Sequence, residues 1–71
     1  MRCMQLLEAS AGQLLMTAHY TPAILEAGWW VSYAYRDGRK VATCSSQDSA
    51  EEAERAAAMW AGVEWEMRDG A

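Results

Sequence analysis

The sequence predicts a small α+β domain: an antiparallel sheet of about four strands with one helix, near residues 49–61, packed on one face. Three observations predict it. Asp37-Gly38 sits between two runs of β-formers, Trp29–Arg36 and Arg39–Cys44. Ser49-Ala50-Glu51-Glu52 is followed by Ala53, Ala57 and Trp60 at helical spacing. Val63-Glu64-Trp65-Glu66-Met67 then alternates apolar and charged residues. Seventy-one residues make one domain, 1–71, and so short a chain hides only about 60% of its unfolded surface.

Met1–Ala9 is apolar enough for an N-terminal strand. Residues 10–27 admit two readings. Ser10-Ala11-Gly12-Gln13 can serve as a capping box that opens a helix through Leu14, Leu15 and Ala18. Thr21-Pro22 would then be the N-cap and first position of a further short helical turn ending at Gly28. That gives β-α-β-β-α-β, a ferredoxin-like order. The rival is a hairpin turning at Ala11-Gly12, which suits Thr17, Tyr20 and Thr21 and yields a longer meander.

Asp-Gly between β-formers is the strongest local hairpin signal, because a type I′ turn needs positive φ at both central residues. A two-residue turn pairs Arg36 with Arg39, Ala34 with Val41, Tyr33 with Ala42 and Val31 with Cys44. Alternation then collects Val31, Tyr33, Ala42 and Cys44 on one face, the better core. Trp30, Ser32, Ala34, Arg36, Arg39, Val41 and Thr43 fall on the other, more open face. Ser49 and Glu52 form a capping box, and Gly62 suits the left-handed position that ends the helix. Ala50, Ala53, Ala57 and Trp60 would face the sheet, with Glu52, Arg55 and Met59 opposite. In the last strand Val63, Trp65 and Met67 face inward while Glu64 and Glu66 face out.

The formal charge is −4 and unevenly spread. Residues 29–46 carry Arg36, Arg39 and Lys40 against Asp37, a net of +2. Residues 47–71 carry seven carboxylates against Arg55 and Arg68, a net of −5. An acidic face disfavours non-specific nucleic-acid binding and favours a basic protein partner. No stretch approaches the roughly 20 apolar residues that cross a bilayer, and no signal-peptide pattern opens the chain. Two cysteines, Cys3 and Cys44, make no disulfide framework; reduced thiols in a cytoplasmic protein are the simplest expectation, although one bond between them stays open.

Catalytic equipment is sparse. His19 is the only histidine, and Cys3, Cys44 and His19 lack metal-ligand spacing. Glu64 and Glu66 point the same way about 7 Å apart on a strand, but on a polar face beside no evident pocket. No glycine loop for phosphate is present. No enzyme activity and no cofactor or metal are therefore expected. The open sheet face carries more: Trp30 among Arg36, Arg39, Glu64 and Glu66, an aromatic flanked by charges as in interface hot spots.

Trp30, Tyr33 and Tyr35, then Asp37-Gly38, Arg39-Lys40 and Ser49-Ala50-Glu51-Glu52-Ala53, follow in an order that resembles the arm-type DNA-binding domain of phage integrases. The resemblance spans residues 29–58 and would give DNA contact to Arg36, Arg39 and Lys40. The chain departs from it in being acidic and poor in cations, whereas phosphate contacts dominate DNA affinity. In size and character the whole chain also resembles small phage-encoded inhibitors, anti-CRISPR proteins among them, which are compact, acidic and non-enzymatic. The expected function is a protein-binding inhibitor or adaptor acting on a nucleic-acid-handling complex through Trp30, Arg36, Arg39, Glu64 and Glu66. The alternatives are a nucleic-acid-binding module using the 29–45 hairpin, or a structural homodimer; monomer and dimer both remain open.

Overall fold

The computed structural model describes residues 1–6, 17–63 and 65. Among the described residues, five strands form one antiparallel sheet: β1 (Arg2–Gln5), β2 (Ala18–Tyr20), β3 (Ile24–Glu26), β4 (Trp29–Arg36) and β5 (Arg39–Ser46). The helix α1 (Ala50–Ala61) crosses one face. The strand order is β1-β5-β4-β2, with β3 also paired to β4. The expected α+β sheet-and-helix architecture is what forms.

Two tight turns set the frame. Asp37 and Gly38 sit at φ 52° and 78°, as the Asp-Gly signal requires, and Arg36 pairs with Arg39. Ala27 and Gly28 repeat the device at φ 49° and 85°, closing β3 onto β4 with Glu26 opposite Trp29. The expected helical turn after Thr21-Pro22 is therefore replaced by strand. Residues 18–20 and 24–26 both run antiparallel along one edge of β4. Pro22 interrupts that edge, where its missing N–H costs no ladder bond. Thr21 repairs the gap: its N–H donates to the Tyr33 carbonyl at 2.9 Å and its hydroxyl accepts from the Tyr33 N–H at 3.1 Å. The Ser32 hydroxyl donates to the Thr21 carbonyl. The proposed helix start and the rival turn at Ala11-Gly12 lie outside the described residues.

A bulge overturns the expected hairpin faces. Tyr35 pairs with Lys40 but Ala34 pairs with Ala42, so Val41 is the extra residue. Its carbonyl accepts the Leu6 N–H at 2.8 Å, on the β1 side. Beyond the bulge Ser32 pairs with Cys44 and Trp30 with Ser46. Ser32, Ala34, Ala42, Cys44 and Ser46 thus share one face and are wholly buried. Against them lie Ala53, Ala57, Ala58 and Ala61. The physical reason is size: an alanine-lined helix approaches closely only where the sheet presents small side chains. Val31 and Tyr33, expected in the core, go to the other face. Trp30, expected on the open face, shares the helix side.

The helix ends follow the sequence. The Ser49 hydroxyl accepts the Glu52 N–H at 3.2 Å. The Glu52 carboxylate instead takes the Ser46 hydroxyl at 2.8 Å, and Ser46 accepts the N–H groups of Asp48 and Ser49 at 3.0 and 3.4 Å. One buried hydroxyl therefore ties the end of β5 to the first turn of α1. At the other end Gly62 adopts φ 76°, its N–H bonding the Met59 carbonyl and the Val63 N–H the Ala58 carbonyl, a Schellman arrangement. Trp60, expected to fill the core, is 40% exposed. Val63 packs against the core as expected, but neither Val63 nor Trp65 is in a strand. The Arg55 guanidinium lies 5.0 Å from the Trp65 ring centroid. Glu64, Glu66 and Met67, the rest of the expected strand, lie outside the described residues.

The cysteines are not free thiols. Cys3 stands directly opposite Cys44 in the β1–β5 register, with Cα atoms 4.1 Å apart, and the two form a disulfide.

Candidate protein-binding face

Strand alternation carries Trp29, Val31, Tyr33 and Tyr35 of β4 to the side away from the helix. Every second residue of a strand shares a face, so neighbouring side chains in this row stand roughly 7 Å apart. Each of the four is half-buried, and no described element packs over them. Cross-strand partners widen the row. His19 pairs with Tyr35 and stacks on it, ring centroids 4.8 Å apart and planes 2° from parallel. Ile24 stands opposite Val31, Glu26 opposite Trp29, and Met4 opposite Thr43.

Cations lie on the rings. The Arg2 guanidinium is 4.6 Å from a Trp29 ring centroid, and the Lys40 ammonium is 4.4 Å from the Tyr33 centroid. A cation over an aromatic face is held by the ring quadrupole, worth about 0.5–1 kcal/mol where exposed. A shallow depression lined by Arg2, Cys3, Met4, Thr43 and Ser45 lies alongside. The face combines aromatic rings, a few aliphatic groups and fixed cations. That composition marks protein interfaces, where rigid rings supply contact area at little entropic cost.

Of the residues singled out from sequence, Trp30 and Arg36 lie on the helix side. Trp30 is half-buried opposite Leu25 and Ser46. Arg36 reaches the helix end, its Nη2 2.9 Å from where a Cβ at Gly62 would stand. Arg39 is exposed at the hairpin tip. Glu64 and Glu66 lie outside the described residues, so the proposed grouping of all five is brought together only in part. The acidic first turn of α1, Glu51 and Glu52, lies on the helix side of the sheet, opposite the cation-bearing face.

Sequence reasoning missed Trp29, Tyr33, Tyr35, His19, Arg2 and Lys40 as one surface. A signal was available. In the middle of β4 the odd positions, Val31 and Tyr33, are large and the even ones, Ser32 and Ala34, are small, which matches only the even face there to an alanine-rich helix.

A second surface is an open apolar groove between β1 and α1, lined by Met1, Cys3, Ala56, Met59 and Trp60. Among the described residues no three His, Cys, Asp or Glu side chains gather as a metal site. No helix among them is long and apolar enough to cross a membrane. No known protein family, curated protein or solved structure matches the chain.

Proposed function

We propose that the chain is a non-enzymatic protein-binding domain, an inhibitor or adaptor, that docks through the sheet face opposite its helix. The observation that carries this reading is the row Trp29, Val31, Tyr33 and Tyr35, with Arg2 and Lys40 seated on two of the rings. Among the described residues of this face Arg2 and Lys40 outnumber Glu26, so it suits a partner patch that is apolar with an acidic rim. The acidic residues of the C-terminal half, Glu64 and Glu66 among them, remain for a basic neighbour or for solubility. The partner class most in keeping with the chain's size and acidity is a nucleic-acid-handling complex of the kind that phage-encoded inhibitors, anti-CRISPR proteins included, obstruct.

The test uses a partner co-purified from the source cell, then measured by titration. Trp29→Ala with Tyr33→Ala should weaken its binding about 30-fold or more, the loss expected of hot-spot residues. The thermal midpoint should move little, because neither ring lies under the helix. Unchanged affinity in this variant removes the reading.

A nucleic-acid reading is favoured by one specific observation: rings at two-residue spacing with cations beside them can stack successive unpaired bases. It predicts a single-strand gel shift at low salt that fades steeply as salt rises. No shift at low salt disposes of it. A cytoplasmic site of action, expected from the sequence, would require the Cys3–Cys44 bond to persist or cycle in a reducing environment.

A further inference from the structure

We propose that the Cys3–Cys44 disulfide is a reducible latch that decides whether β1 completes the sheet. β1 has four residues, all exposed, and meets the body chiefly through β5. The helix packs chiefly on β4, β5 and β2. Beyond the ladder, β1 is held by the Leu6 N–H on the Val41 carbonyl, by Arg2 on Trp29, and by the disulfide. Each backbone bond of such an edge replaces a bond to water, so its net gain is small. Ordering five or six residues costs entropy that this ladder alone does not offset. The covalent bond supplies the difference.

The two sulfurs have unequal access. Cys3 is exposed, whereas Cys44 is wholly buried beneath the helix. An incoming thiolate therefore reaches the Cys3 sulfur. The reductant is a dithiol: its first thiolate attacks Cys3 Sγ, the S–S bond breaks, and Cys44 leaves as a thiolate that takes a proton. The second thiol of the reductant then displaces Cys3, which also ends as a thiol, and the reductant departs as its own disulfide. Two electrons and two protons pass to the protein.

Two consequences follow from the geometry. Release of β1 takes Arg2 off Trp29, altering the proposed recognition face. It also bares the outer edge of β5. Cys3 and Cys44 face each other as a closely spaced, non-hydrogen-bonded pair, so the N–H and C=O groups of Thr43 and Ser45 are the ones directed at β1. After release those groups are free to pair with another strand. The inference concerns the fold of the chain and does not depend on which partner it binds.

The test is solution NMR of the full chain, oxidised and in excess dithiothreitol. In the oxidised form the α-protons of Cys3 and Cys44 should show a cross-strand contact, as should those of Tyr33 and Thr43. On reduction the first contact should vanish and residues 2–5 should move to unstructured shifts, while the Tyr33–Thr43 contact persists. The double variant Cys3→Ser/Cys44→Ala should show the reduced pattern with no reductant. Persistence of the Cys3–Cys44 contact after reduction overturns the latch, because the ladder then holds itself. Loss of both contacts together, in either sample, overturns it equally, because the bond is then a staple for the whole fold.

Discussion

Ala27 is an L-residue held at φ 49°, in the region that glycine enters freely and other residues enter at a cost of roughly 1–2 kcal/mol. Its neighbour Gly28 bears the same burden without penalty. Ala27→Gly should therefore stabilise the domain by about 0.5–1 kcal/mol, the relief being partly offset by the freer unfolded chain. A rise in the urea midpoint at constant slope would register it. Glu54 is the opposite case, a carboxylate only 7% exposed that accepts the Ala23 N–H at 2.8 Å. It clamps the Pro22 break against the helix. Glu54→Ala leaves a backbone donor unpaired and should cost about 1–3 kcal/mol, read from the same urea curves. Nothing in the sequence marked either residue: Ala27-Gly28 lacks the Asn or Asp that announces such a turn, and Glu54 looked like one more surface acid.

At the scale of elements, the hairpin turn, the helix and both helix ends were legible because each is written in local chemistry. Asp37-Gly38, Ser49 and Gly62 each meet a backbone requirement that few residues meet, and each sits where expected. Ser49→Ala should cost about 1 kcal/mol, the usual worth of an N-cap, and lower the thermal midpoint. What stayed hidden was register. A bulge is a choice between partners, and the choice of Val41 depends on which face the alanine helix can approach. Because strand side chains alternate, that single extra residue exchanged the faces of everything beyond it. Trp30 and Tyr33 traded roles for this reason, and the candidate surface moved with them. The strands at residues 18–20 and 24–26 were obscured in a similar way, since Pro22 divides one edge into two pieces too short to show a period.

The whole molecule is built on a thin core. Among the described residues the largest fully buried side chains are Cys44, Ser32 and Ser46, and the big aromatic rings lie at the margins of the core rather than its centre. Domains of this length are stable by only about 4–11 kcal/mol. A disulfide spanning 41 residues is worth about 4 kcal/mol by the chain-entropy account. Removing it through Cys3→Ser/Cys44→Ala should take away less than that in a urea titration, because the released β1 regains its own conformational entropy while the rest of the fold stays. The sequence left the pairing of Cys3 with Cys44 open because their proximity exists only once β1 lies beside β5. A molecule that shields small residues under its helix and leaves Trp29, Tyr33 and Tyr35 on the other face invites recognition there. The most direct examination is hydroxyl-radical footprinting of the chain alone and in complex with its co-purified partner. The account predicts protection of Trp29, Tyr33 and Tyr35 on binding, with Met59 and Trp60 unchanged; protection of Met59 and Trp60 with the three rings still reactive would contradict it.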